Sequence, residues 1–239
     1  MGRAIGLVYG AVCYALFFGT FLYAIWFVWT MDGAAARGPL VQSLLIDAVL
    51  LSIFALQHSV MARQGFKRMW TKMVPREVER STYVLFASLA LLAVVVFWQP
   101  IPTVIWDIQM PVVRGILHVL FWAAWANLVL STFLINHFDL FGLKQVWDWS
   151  RGKPYQPPSF KTPGMYKTVR HPIYFSFVVA FWSAPTMTAG HLFFAAMCTG
   201  YILVAIQLEE RDLMKFHPED YGAYRKRVSM LIPWMGRKG

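Results

Sequence analysis

The chain has 239 residues, of which 58% are hydrophobic, 17% aromatic and only 14% charged. Soluble domains carry roughly a quarter charged residues, so this balance excludes an ordinary soluble fold and indicates an all-α integral membrane protein. The formal net charge of +10 does not indicate a nucleic-acid partner, because the basic residues gather in alternate loops, as membrane topology requires.

Six segments are expected to cross the membrane: Ile5 to Thr30, Leu40 to Met61, Thr82 to Trp98, Gly115 to Ile135, Pro172 to Thr188 and His191 to Leu208. Several lie at the short end of the roughly 17 to 25 residues that a span needs, and the last two are expected to pair as a helical hairpin. If the segments alternate, 20 of the 22 Lys and Arg residues fall on one side. The positive-inside pattern then places both termini in the cytoplasm, with the loops Arg63 to Arg80 and Lys144 to Arg170. Arg3 precedes the first segment without a small-residue cleavage site behind a brief apolar core, so a retained helix is expected rather than a signal peptide.

The first segment is apolar and aromatic, with Trp26 and Trp29 as interfacial anchors near its outer end. The second carries Asp47, Gln57 and His58. An ionisable residue inside a span is costly, so Asp47 is either a functional group or a carboxylate paired with another helix. The basic loop that follows, with Trp70 and Pro75, suits lipid headgroups, at about 1 kcal/mol per basic residue near an anionic leaflet. Arg80 and Tyr83 stand where the third segment enters the membrane, as pocket-lining candidates or as a snorkelling cation and an interfacial ring.

Residues 99–110 form a short outer loop with Pro100 and Pro102 and no basic residue. In the fourth segment His118 and Asn127 are of the type that hydrogen-bonds helix to helix. The segment ends in Asn136-His137-Phe138-Asp139-Leu140-Phe141-Gly142-Leu143, a concentration of exchangeable protons and aromatics that suits a site wall or a polar helix end closed by glycine. Lys144 to Val169 is expected to be one long irregular loop, a lid or binding loop. Cys13 and Cys198 lie inside apolar segments, so no disulfide and no metal cluster is expected.

Most of the polar residues of the spans thus fall at cytoplasmic ends, which points to a cytosol-facing pocket. Its centre is the C-terminal hairpin, opened by Arg170-His171-Pro172-Ile173-Tyr174 and closed by Glu209-Glu210 with Tyr221 and Tyr224 beyond. Pro172 suits the first turn of a helix, whose unpaired amides receive an anion, and Arg170 offers a forked cation to a carboxylate. Glu209 and Glu210 accept hydrogen bonds from an ammonium group or vicinal hydroxyls. Adjacent helical residues point about 100° apart, so one ligand need not touch both. The plainer alternative pairs the two glutamates with Arg211 and Lys215 and leaves the tyrosines among headgroups.

The ordered set Arg170-His171-Pro172-Ile173-Tyr174, Glu209-Glu210-Arg211-Asp212-Leu213 and Phe216 to Val228 resembles the cofactor-binding C-terminal region of the isoprenylcysteine carboxyl methyltransferase and phospholipid methyltransferase superfamily. Upstream, Leu56 to Arg63, Glu79 to Tyr83 and Asn136 to Trp147 resemble the methanethiol S-methyltransferases and the related NnrU-like membrane proteins of bacteria. The resemblance implies a single membrane methyltransferase domain over 1–239, with four segments in 1–143 and the cofactor-binding loop, hairpin and tail in 144–239, in the bacterial inner membrane. It implies methyl transfer from S-adenosylmethionine to methanethiol, with His171, Tyr174, Glu209 and Glu210 as cofactor contacts, to which the forked cation of Arg170 is added. It does not identify a base. His58, His137 and Asp139 are the candidates for thiol deprotonation, and Arg80 for stabilising a thiolate. Two alternatives stay open: the same machinery acting on a lipid amine or a prenylated cysteine, and a non-enzymatic haem- or quinone-binding membrane protein prompted by His58, His118 and His137.

Overall fold

The computed structural model describes residues 2–233 and 235 and is helical along most of that length. Arg237 and Lys238, counted above among the basic residues of the cytoplasmic side, lie outside the described residues. Ten α-helices follow in chain order among the described residues: α1 Gly2–Thr30, α2 Leu40–Ala62, α3 Gln64–Trp70, α4 Arg76–Phe97, α5 Pro111–Ile135, α6 His137–Leu140, α7 Leu143–Ser150, α8 Pro172–Trp182, α9 Ala189–Phe216 and α10 Pro218–Arg227. Two short strands, β1 Val104–Asp107 and β2 Thr186–Thr188, complete the set.

Five helices, α1, α2, α4, α5 and α9, are long and apolar enough to cross a membrane. The expected fifth span is shorter than its apolar composition suggested. Helix α8 has 11 residues, about 16 Å at 1.5 Å per residue, which is half a bilayer core. It stops at Trp182 because Pro185 has no N–H to continue the ladder and disfavours helical backbone in Ala184 before it. Thr186 to Thr188 beyond it pair antiparallel with β1, Asp107 opposite Thr186 and Trp106 opposite Met187, so the outer loop contains a strand. Thr188 then caps α9, its hydroxyl accepting from the His191 amide at 3.2 Å. Helix α9 runs past Leu208 to Phe216, so Glu209 and Glu210 are helical residues.

The chain divides into two compact units, Met1–Pro102 with His137–Pro157, and Thr103–Asn136 with Pro158–Gly239. In the first, α4 packs against both α1 and α2, and α7 lies against α1. Gly6 and Gly10 make this last contact possible: a Cβ at Gly6 would strike the Trp149 ring, and one at Gly10 the Val146 side chain. Small residues four apart let helices approach closely, as in other membrane helix pairs. The expected irregular loop after residue 143 therefore begins with a helix. The turn into α7 uses Gly142 at φ 87°, where a Cβ would meet the Ser81 backbone nitrogen at 2.7 Å. Asp47, wholly buried, accepts from the Gln99 amide at 2.8 Å and so closes the end of α4 from α2.

In the second unit α5 packs along α8, and α8 and α10 pack on α9. Asn127 donates to the Ser176 hydroxyl at 2.8 Å, tying α5 to α8 as its residue type predicts. Trp125, Phe177, Phe181 and Phe194 fill the space between these helices with edge-on and tilted ring contacts.

Candidate functional site

The second unit gathers the residues of the expected cofactor site about one carboxylate. Pro172 occupies the first turn of α8 with His171 as its cap. The segment after α10 fixes the preceding backbone, since Ser229 O accepts from Arg170 N at 2.8 Å and Met230 O from His171 N at 3.2 Å. Helix α10 itself is shaped by Pro218 in its first turn, Glu219 and Asp220 near its N-terminus and Arg225, Lys226 and Arg227 at its C-terminus, each suited to the helix dipole. Its Tyr221 and Tyr224 are buried against Phe160, and the Tyr224 hydroxyl donates to Tyr166 O at 2.5 Å.

Glu210 is the hub. Its Oε1 accepts from Arg170 Nε at 2.8 Å and Nη2 at 2.7 Å and lies 3.1 Å from His171 Nε2, while its Oε2 is 3.3 Å from Arg225 Nε. The Arg170 fork is used up by this carboxylate and by the Val228 and Arg225 carbonyls at 2.5 and 3.3 Å. Arg170 therefore meets Glu210, and the glutamate's described partners are Arg170, Arg225 of α10 and the α8 cap His171 rather than Arg211 and Lys215. Burial, followed by the charge of Glu210 beside it, pushes the Tyr221 phenol well above its ordinary pKa.

The neighbouring Glu209 is different. Its side chain is 45% exposed and its described partner is the His171 ring, with Nδ1 at 4.0 Å, against 4% exposure for Glu210. The roughly 100° between adjacent helical positions thus sends one carboxylate into the ion-pair hub and leaves the other facing outward. The Tyr174 ring stands 5.6 Å from that of His171. A cleft of about 360 Å³ opens beside Glu210, lined by Gln207, Arg211, Met214, Lys215 and Arg225. That is within the size range of small-molecule sites.

Glu209, His171 and Tyr174 stand outside the lining of this cleft, but taken together these side chains have the chemistry that suits a methyl donor such as S-adenosylmethionine. An outward carboxylate suits a ribose diol or an ammonium group, cationic side chains in the cleft suit a carboxylate, and aromatic faces suit a sulfonium.

The first unit holds the other candidates. The Tyr83 hydroxyl sits between the two ring nitrogens of His58, 3.1 Å from Nδ1 and 2.9 Å from Nε2. Arg80 donates through Nε to Leu140 O at 2.7 Å, and its guanidinium lies over the Tyr83 ring at 4.8 Å. His137 Nε2 meets the Tyr14 hydroxyl at 2.8 Å, and burial lowers its pKa below the ordinary imidazole value. Its ring stands 4.8 Å from that of Phe141, which stacks on Phe17 at 3.9 Å. Phe17 and Phe141 in turn pack on Met61, Tyr83 and Val84.

Asp139 is the most heavily bonded of the candidates. Its carboxylate accepts from the Tyr155 hydroxyl at 2.8 and 3.1 Å and from Gln145 at 3.1 Å. Burial, and then this hydrogen bond, raise the Tyr155 pKa, so the phenol keeps its proton and donates. Tyr155 is the anchor by which the segment after α7 is held down. Tyr155→Phe should leave a buried carboxylate short of a donor, at about 1 to 3 kcal/mol. The expected result is faster amide exchange across residues 153–157 with the helices unchanged; unaltered exchange there would remove the anchoring role.

Tyr14, Gln145, Tyr155, Tyr166 and Arg225 are partners of the candidate residues or of their neighbours that sequence reasoning missed. Tyr155 and Tyr166 sat in a stretch without periodic pattern, and Tyr14 was one aromatic of nine in its segment. For Arg225 a usable signal existed, because it follows Tyr221 at the four-residue helical interval.

Over almost its whole length the chain is similar to the methanethiol S-methyltransferase of Mycobacterium tuberculosis, 53% identical over 99% of both chains. It is similar also to methanethiol S-methyltransferase 1 of Bradyrhizobium diazoefficiens, 52% identical over 97% of this chain and 83% of that one. Nurim of Rattus norvegicus is 32% identical over 72% of this chain and 68% of its own. No family model matches the chain. No solved structure matches it either.

Proposed function

Because the chain belongs to the methanethiol S-methyltransferase family, we propose that it transfers a methyl group from S-adenosylmethionine to methanethiol, giving dimethyl sulfide and S-adenosylhomocysteine. The observation that best supports this reading, beside the family, is the division of labour between Glu209 and Glu210. One buried carboxylate fixes Arg170 and His171, and the other is left for a ligand.

Bound there, the donor supplies a methyl group already activated on a sulfonium, so the protein needs neither a metal nor a covalent intermediate. Its tasks are alignment and a larger thiolate fraction. Glu209, His171 and Tyr174 are the proposed donor contacts, with Glu210 and Arg170 holding them in place. His58, His137 and Asp139 are the proposed proton handlers, and Arg80 the cation that favours thiolate. Of the three, Asp139 already accepts from Tyr155 and Gln145. Membrane lipid surrounds the apolar helices, and an apolar thioether product leaves through it.

The test is to give purified protein methyl-labelled donor with a panel of thiols, lipid amines and prenylcysteine. Label carried into a volatile thioether from methanethiol alone is expected, and label in lipid or prenylcysteine would favour the wider-pocket reading. The site is proposed to face the cytoplasm from the bacterial inner membrane, with both termini on the same side. A cysteine at Ser159, in a background with Cys13 and Cys198 replaced by serine, should resist an impermeant reagent in intact cells and react in inverted vesicles. Reaction from the periplasmic side would reverse this topology.

A further inference from the structure

Helix α9 carries a face that the proposed donor contacts do not use. Met197, Gly200, Val204, Gln207, Arg211 and Lys215 follow at intervals of three and four residues, which keeps them within about 80° around the helix axis. Met197 and Val204 are 43% and 58% exposed, and a Cβ at Gly200 would meet nothing within 4 Å, so this part of the face is bare and apolar. With 28 residues the helix is about 42 Å long, against a hydrocarbon core of about 30 Å. About two turns therefore stand beyond the core, and these are the polar ones at its C-terminal end. There the face runs into the cleft beside Glu210, whose cations are Arg211, Lys215 and Arg225. Glu210 is already paired with Arg170 and Arg225. Among the described residues Arg211 and Lys215, both exposed, have no ion-pair or hydrogen-bond partner, so the cleft keeps two unspent positive charges.

We propose that this face is a binding site for one anionic phospholipid, with the phosphate diester held by Arg211, Lys215 and Arg225 and an acyl chain laid along Val204, Gly200 and Met197. The proposal goes beyond the methyl-transfer reading and does not depend on it. Gln207 to Arg211 is about 6 Å along the axis, the depth of one headgroup layer, so the apolar residues and the cations stand at the two levels that a lipid spans. Cations of this kind would take a carboxylate as well as a phosphate. The bare apolar face above them is what selects a lipid over a water-soluble anion, since an acyl chain on it stays out of water. A zwitterionic headgroup is disfavoured, because the carboxylate in the lining is engaged by Arg170 and Arg225 and is not left for an ammonium. Arg225 belongs to both arrangements, so the bound lipid bears on the carboxylate that holds Arg170 and His171.

The test is native mass spectrometry of the full-length protein in neutral detergent, titrated with dioctanoylphosphatidylglycerol, dioctanoylphosphatidylcholine or inorganic phosphate. One phosphatidylglycerol should bind at least about tenfold more tightly than either of the others, as its net charge and its chains together require. Arg211→Gln with Lys215→Gln should weaken it about 30-fold, taking a factor of about five for each basic residue near an anionic lipid. Arg211→Lys with Lys215→Arg keeps both charges and should keep the lipid. If the double glutamine variant does not fold, Lys215→Gln alone is used, with about a fivefold loss expected. Unchanged phosphatidylglycerol affinity in the glutamine variants overturns the proposal. Inorganic phosphate that binds as tightly as the lipid makes the cleft a free-anion site and overturns it too. Displacement of the lipid by S-adenosylmethionine would give the cleft to the carboxylate of the methyl donor, which overturns the lipid site and leaves the methyl-transfer reading standing.

Discussion

Replacing Glu210 with alanine should abolish donor binding and unfold the second unit at markedly lower temperature. The substitution leaves Arg170 buried with its main counter-charge gone, and breaking a buried pair in this way costs about 3 to 5 kcal/mol. It also frees His171 and Arg225, whose positions depend on the same two oxygens. Glu209→Ala should behave oppositely, weakening donor affinity with the unfolding temperature nearly unchanged, since its carboxylate is half-exposed and its closest described partner is 4.0 Å away. Calorimetric titration of donor and thermal unfolding of each variant in detergent separate the two. Equal loss of stability in both would contradict the assignment of Glu210 as hub and Glu209 as contact.

The second large effect is expected at His58. A thiol with pKa near ~8.5 or above is mostly protonated at neutral pH, and removing a general base costs about 10² to 10⁴ in rate. His58→Ala should therefore show a loss of that order in turnover at nearly normal donor affinity, partly regained at high pH. His137→Ala and Asp139→Asn should lose less, because their described partners are a tyrosine hydroxyl for the first, and Tyr155 and Gln145 for the second. Should His137→Ala prove the slower variant, with recovery at high pH, the base would be His137 instead.

The long helices were legible because hydropathy is a local property, and α1, α2, α4, α5 and α9 follow it. Helix α8 was misjudged in length because the apolar run continues to Thr188, while the break is made by Pro185 and by pairing with a strand about 80 residues earlier. Helix α7 was missed because its apolar face, Leu143, Val146 and Trp149, is only three residues deep. What it packs on is a pair of glycines in α1 that look featureless in sequence. The motif residues of the hairpin could be picked out, and so could the fact that the glutamates diverge. Which of them turns inward could not, because Arg170, His171 and Arg225 decide it from other elements. The same limit applied to Asp139, whose partner Tyr155 lies in a stretch without pattern.

Trideuteromethyl-labelled S-adenosylmethionine tests the central claim most directly, given to purified protein with unlabelled methanethiol while the headspace is followed by mass spectrometry. The account predicts dimethyl sulfide carrying one labelled and one unlabelled methyl group, absent when Glu209 and His58 are both replaced by alanine. Labelled methyl groups recovered only in membrane lipid or prenylcysteine, with no labelled dimethyl sulfide from active, donor-binding protein, would contradict it.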